Sequence, residues 1–370
     1  MTTTQTTSDT IEQPAPTQRE QQAEKPPKSP RAPLWDNARF VAITLVIMGH
    51  ATLKLISKSD DAYSLYLFIY LFHIPVFVAV SGYFAKPGLP TVTDVKKLFS
   101  YLVVPYVIFE TIWSVIHWGI SGKFTLDYTT AWWTLWFLIA LVLWRLALPY
   151  LVVLRFPMTI SIVLAVGSGY LASIDDRLSL ARAVALMPFF VFGWKLKQWK
   201  LADRWLALPT RSVWTWRAGA ILVFAATAAV TFFGIDTWRE LLIRRFLLYD
   251  EQYGSFGYDQ WWAGAVRLGF IGFGMVLCLA FLILMPRRNT WVSAFGQATL
   301  YIYLLHSFVL YPIRQSGILD GTKPLWVLGA MVLLSIALPF ALASPPVKKI
   351  FRPVIEPNVG WLFRRKESSA

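Results

Sequence analysis

The sequence predicts an all-α, polytopic transmembrane bundle of about ten spans with both termini cytoplasmic. Three observations predict it. The 370 residues are 56% hydrophobic and only 15% charged, against about 25% charged in soluble domains. Apolar segments of near-spanning length recur along the whole chain. If these segments alternate in direction, roughly two thirds of the 35 lysines and arginines fall on one side, as the positive-inside rule requires. The net charge of +14 is thereby explained by cytoplasmic loops, and nucleic acid is not needed as a partner. The bilayer is the expected one.

Residues 1–33 are rich in Thr, Gln, Glu and Pro and contain no aromatic residue, so they read as a disordered cytoplasmic tail. Lys25, Lys28 and Arg31 precede the first span and hold that end inside. Spans are expected near 36–56, 65–85, 98–119, 132–153, 158–174, 180–197, 216–234, 262–284, 292–313 and 325–343, within a membrane domain of 34–346. The fifth and sixth are short for spanning. Lys195, Lys197 and Lys200, then Arg287 and Arg288, then Lys348 and Lys349 anchor inner connections, the last pair opening a basic tail over 347–370. The longest outer connection, 235–261, repeats Trp238, Leu241, Leu242, Phe246 and Leu247 at helical spacing. It predicts one short amphipathic helix lying in the interface. A lone cysteine, Cys278, excludes an intramolecular disulfide and reads as a small apolar packing residue.

Ionisable groups inside the spans carry the functional expectation. Arg39 and His50 are eleven residues apart, almost three turns at about 3.6 residues per turn, so both point to nearly one face. The separation is about 16 Å, around half of a hydrocarbon core roughly 30 Å thick. His50, His73, His306 and Glu110 fall at similar depths, which suggests a polar chamber within the bundle. His117 lies further out. Neutral imidazole suits His50 to act as a general base toward a hydroxyl. No two histidines have i,i+3 or i,i+4 spacing and no HExxH or paired-Cys pattern occurs, so no metal is expected. No GxSxG elbow supports a serine nucleophile, and Ser81 reads as a hydrogen-bonding residue.

Five stretches together resemble the acyltransferase-3 family of membrane O-acyltransferases. Arg39 and His50 look like its R-x10-H motif. Residues 72–84 (FHIPVFVAVSGYF), 96–110 (KKLFSYLVVPYVIFE), 135–146 (LWFLIALVLWRL) and 300–310 (LYIYLLHSFVL) are similar to later family segments, in order. The resemblance implies a multi-pass enzyme of the bacterial inner membrane that takes an acyl group, usually acetyl from acetyl-CoA, at the cytoplasmic side. It places that group on a hydroxyl of an envelope sugar or glycolipid, with a trehalose mycolate-type glycolipid among the options. His50 matches the motif base and Arg39 the donor-handling arginine. Where many members carry an R-x-x-R pair, this chain has Lys96 and Lys97, with Ser100 further on; lysine attracts phosphate as a point charge without the bidentate fork.

These readings combine into one expectation. A chamber joins the inner face to the outer leaflet, and CoA phosphates meet Arg39, Lys86, Lys96 and Lys97. Asp36, three residues before Arg39, orients its guanidinium. Glu110 fixes the tautomer of a chamber histidine, with His73 in the catalytic group and His306 supporting it, and Trp136 stacks on a sugar. A transporter or flippase of a polar lipid or sugar is the alternative from another class. An envelope polymerase or ligase using a lipid-linked sugar is a third.

Overall fold

The structure is a computed structural model, and it describes residues 32–363. Of the expected N-terminal tail only residues 32 and 33 are described, and of the basic C-terminal tail 364–370 lies outside the described residues. The described chain is helical, with no strand among the described residues. In order, the helices are α1 (Pro33–Thr52), α2 (Asp60–Tyr70), α3 (His73–Tyr83), α4 (Val92–Leu98), α5 (Val104–Ser121), α6 (Trp136–Leu151), α7 (Pro157–Gly167), α8 (Leu180–Gln198) and α9 (Leu201–Ala207). They continue with α10 (Thr210–Phe233), α11 (Ile235–Glu240), α12 (Ile243–Leu248), α13 (Trp262–Leu284), α14 (Ser293–Gly296), α15 (Thr299–Gln315), α16 (Leu325–Leu342) and α17 (Pro345–Ile355).

Local chemistry sets many of these boundaries. Pro33 opens α1, where its missing N–H costs nothing. The Ser59 hydroxyl accepts the Ala62 N–H to start α2, and Thr91 with Asp94 forms a capping box on α4. Gly122, at φ 72°, ends α5 in the left-handed conformation that glycine adopts without strain. The expected single second span is broken at Phe72. Pro75 has no N–H for the Leu71 carbonyl, and its ring crowds that carbonyl, so α2 stops and α3 restarts at His73. A π-helical turn, Phe99–Val103, joins α4 to α5 just before Pro105. The expected interfacial helix in 235–261 is instead two short helices. Leu242 takes φ 50° between them, and Phe246 turns inward onto the buried Tyr253. The start of the expected basic tail is the helix α17, with Ile355 buried.

Among the described residues, six helical stretches are long and apolar enough to cross a membrane: Asp60–Tyr83, Val92–Ser121, Arg177–Gln198, Thr210–Phe233, Trp262–Leu284 and Leu325–Leu342. Two more, Trp136–Leu151 and Pro157–Tyr170, are apolar but short. The expected ten spans all coincide with helical segments, but length and composition establish six. The connections gather at two ends. At one, Asn37 donates to the carbonyls of Pro286 (3.0 Å) and Arg288 (3.1 Å), and Ser100 to that of Pro357 (3.0 Å). At the other, Lys54 pairs with Asp320 (2.9 Å), Arg239 with Asp60 (2.8 Å) and Arg182 with Asp250 (2.6 Å).

Glycines bring the central helices into backbone contact, as small residues do where lipid removes the hydrophobic drive between helices. A Cβ at Gly82 would land on the Phe190 carbonyl, and one at Gly193 on the Ala79 carbonyl, so α3 and α8 touch at both positions. A Cβ at Gly296 would meet the Asp36 carbonyl, which sets α14 against the start of α1. Around these contacts Ile43, Ile47, Phe109, Trp113, Trp144, Phe189 and Phe190 fill the core.

Candidate active site

Two polar regions lie along α1. The first surrounds Arg39 at the end that holds Asn37. A cavity of about 370 Å3 opens there between α1, α3, the π-turn, α6 and α15. Its walls are mostly apolar, with Phe84, Leu138 and Leu141 among them, and three cations line it: Arg39, Lys97 and Arg145. Arg39 donates to Asp36 (3.4 Å) and its guanidinium lies 4.4 Å from the centre of the Phe84 ring. Asp36 is buried and also accepts from Gln297 (3.4 Å), so the acid expected to orient Arg39 does contact it. Ser81 lines the same cavity, its hydroxyl turned back to the Phe77 carbonyl (2.9 Å).

Two of the expected donor-site lysines stand elsewhere. Lys86 is exposed and pairs with Asp94 (2.7 Å), because the capping box turns that carboxylate toward it. Lys96 reaches over the Phe363 ring (5.3 Å), since adjacent residues on a helix point in different directions. Arg145 lines the cavity instead. It was visible in the sequence only as a lone arginine inside an apolar span, and such a residue marks a cavity or a partner.

The second region is an imidazole cluster near the far end of α1. His50 is half-buried and lies one turn from the helix end, further toward that end than the mid-membrane depth expected. Its ring centre is 5.5 Å from that of His306 and 5.2 Å from that of Trp133. His306 is fully buried on α15. His73 is also buried, at the start of α3, with its ring 4.5 Å from Tyr70. The helix break there lets its Nδ1 donate to the Ile69 carbonyl (2.8 Å). Tyr70 in turn lies against Gly49, where a Cβ would sit 2.8 Å from the ring. The glycine before His50 thus lets α1 approach α2.

Trp133 reaches His50 because the connection 122–135 is tied down. Tyr106 donates to the Tyr128 carbonyl (2.9 Å), and Thr111 bonds the Tyr128 hydroxyl (2.9 Å). Asp127 accepts from both the N–H (2.8 Å) and hydroxyl (2.6 Å) of Thr129, bonds that hold its carboxyl below the usual range. Glu110, buried on α5, accepts the backbone N–H of Trp132 (2.9 Å). Among the described residues the hydrogen-bond partner of Glu110 is thus this loop rather than the histidine expected. His117 packs on the Trp132 ring (4.9 Å) outside the cluster. Arg314 lies over Trp133 (5.2 Å). Trp136 faces Arg182 (5.2 Å), away from the cavity, while its neighbour Phe137 lines the cavity.

The cavity and the imidazole cluster lie at separate places along α1. The cavity's lining ends at Phe137 and Tyr303, and His50 is not part of it. The Tyr303 hydroxyl donates to the Thr134 carbonyl, which fixes the ring at the cavity wall. His306 follows one turn later on α15, with its ring 6.0 Å from that of Tyr303. The order along the molecule is therefore Arg39, Tyr303, His306, His50. Among the described residues, no group of three or more His, Cys, Asp or Glu is arranged to hold a metal ion.

An all-helical, multi-pass membrane protein with a cationic cavity at one end and a buried imidazole cluster beyond it is the class that fold and site define. The chain belongs to the acyltransferase-3 family: the family model described as an acyltransferase domain matches residues 34–344. A curated relative, the nodulation protein NolL of Mesorhizobium japonicum (strain LMG 29417 / CECT 9101 / MAFF 303099), is 41% identical over 58 residues, 15% of this chain and 16% of that protein. No solved structure matches the chain.

Proposed function

We propose that the protein moves an acyl group, in the first instance acetyl, from cytoplasmic acyl-CoA to a hydroxyl of an envelope sugar or glycolipid in the bacterial inner membrane. The observation that carries this reading is the pairing on one helix of Arg39, in a cavity with two further cations, and His50, three turns on in a cluster of imidazoles. The cavity has the character that a nucleotide thioester needs: Arg39, Lys97 and Arg145 attract phosphates, and the apolar wall suits the pantetheine arm. The arm follows α1 toward His50, past Tyr303. An acceptor hydroxyl arrives from the opposite end, beside Trp133 and Arg314. His50 takes its proton as the oxygen attacks the thioester carbonyl, and the nearby guanidinium groups of Arg182 and Arg314, which act on His50 electrostatically, favour developing negative charge. Donor and acceptor so enter from opposite ends, which suits a glycolipid held in the outer leaflet.

The test is acetyl transfer and CoA release by the purified protein in lipid nanodiscs, with acetyl-CoA and a glycolipid extract as acceptor. His50→Ala should lower kcat by about 10²–10⁴-fold. Arg39→Ala should act chiefly by raising KM for the donor. Near-wild-type turnover by well-folded His50→Ala would remove the base assignment. A transporter or flippase would release no CoA.

A further inference from the structure

Between α1 and α15 two ring nitrogens are buried without a hydrogen-bond partner: Nδ1 of His50 and Nε2 of His306. The chemistry of His306 is fixed by its own helix. Its Nδ1 lies 2.5 Å from the Tyr303 carbonyl and 3.2 Å from that of Ile302. A carbonyl oxygen only accepts, so Nδ1 carries the proton of the neutral ring and Nε2 is a bare lone pair. A lone pair held away from water with no donor is costly. His50 Nδ1 is the complementary orphan, free to be the donor. The ring centres are 5.5 Å apart and the planes are 31° from parallel. The two nitrogens make no hydrogen bond as the rings stand, and neither has another partner.

We propose that His306 is the positioning residue for His50: the Nδ1–H of His50 donates to Nε2 of His306, so that Nε2 of His50 is the bare nitrogen that meets the acceptor. This rests on the acyl-transfer reading above and supplies the orienting group that Glu110 does not. The arrangement repeats the logic of a base held by a third group, here a neutral imidazole anchored on a backbone carbonyl. The acceptor O–H proton passes to His50 Nε2 while the acceptor oxygen bonds to the thioester carbonyl carbon. The carbon–sulfur bond then breaks, and the same proton leaves His50 for the departing thiolate. Between those steps the His50 imidazolium shares its Nδ1 proton with His306, which keeps its own proton on the Tyr303 carbonyl. Of the other groups acting on His50, His73 on α3 also donates through Nδ1, to Ile69, but its ring contact is with Tyr70 and not with His50, and Arg182 on α8 and Arg314 on α15 are cations that accept nothing. Asp250 and Asp176 pair with Arg182, and Glu110 accepts from Trp132.

The experiment uses the full chain in nanodiscs, with acetyl-CoA and the glycolipid extract. His306→Gln keeps an acceptor near the position of Nε2, whereas His306→Phe keeps the volume and removes it. His306→Phe should lose about 10²-fold in kcat, with donor KM unchanged and the limb of the pH–rate profile assigned to the base displaced; His306→Gln should recover to within about tenfold of wild type. Wild-type kcat and pH profile in His306→Phe, with His50→Ala inactive, would overturn the pairing and leave the acyl-transfer reading intact. Absence of CoA release by the wild type would instead bring down the reading beneath it. Nitrogen-15 spectra of the wild type decide the pairing if either variant fails to fold. A His50 protonated at Nδ1 and bare at Nε2 supports it, and the opposite tautomer overturns it.

Discussion

Glu110 shows how a residue's type can be legible while its role is not. An acid within an apolar span must meet a partner or a cavity, and that much follows from the sequence. Its partner, the Trp132 N–H, belongs to a loop about 20 residues later whose course depends on Tyr106, Thr111 and Asp127. The bond is the link between α5 and Trp133, hence between α5 and the face of His50 that Trp133 covers. Glu110→Gln retains an acceptor and should change stability by under about 1 kcal/mol, while Glu110→Ala strands a buried N–H and should cost about 1–3 kcal/mol. Thermal unfolding in detergent measures both; equal midpoints for the two variants would contradict the role. Trp133 itself, at φ 35°, and Arg314 gave no periodic signal, because both act from loops or helix ends across the fold. Arg39 and His50 were legible together because their spacing on one helix is a local quantity.

At the scale of elements, the contact between α3 and α8 decides where the cluster sits. Two glycines, one on each helix, let backbone meet backbone, and α3 carries His73 while α8 carries Arg182. Alanine is worth up to about 1 kcal/mol over glycine in a helix interior. At Gly82 and Gly193 overlap with a carbonyl outweighs that gain, because backbone cannot rotate away as a side chain does; each Ala variant should be destabilised by about 1–3 kcal/mol. Gly219 and Gly269, where a Cβ meets open space, are the controls, and their Ala variants should be neutral or slightly stabilised. Matching losses at all four positions would show that the α3–α8 contact is not what matters. The break at Phe72 and the split at Leu242 belong to this scale too. The first break is set by Pro75, and a helical repeat of apolar residues ran through the second unbroken.

For the whole molecule, the open quantity is how many segments cross. Among the described residues six helices have the length and composition, and α6 and α7 are short. If α6 crosses, the connection at Arg155 lies on the opposite side from that at Lys123. Cys278 is fully buried and leaves a quiet background for labelling. An impermeant maleimide applied to intact cells should therefore modify Lys123→Cys and should reach Arg155→Cys only after permeabilisation. Labelling of both from outside would reduce the count of spans and turn the later connections over.

Composition and periodicity alone determined that this chain is a helical membrane protein, because the cost of unpaired backbone in lipid permits few alternatives to helices. They also determined that Arg39 and His50 share a helix face. The tertiary structure decided which cations join Arg39, that Tyr303 is fixed at the cavity wall, and that His306 rather than Glu110 faces His50. Such pairings join residues far apart in the chain, and they depend on how closely helices approach and how loops are fastened. Those distances follow from packing the whole bundle, and no single segment encodes them.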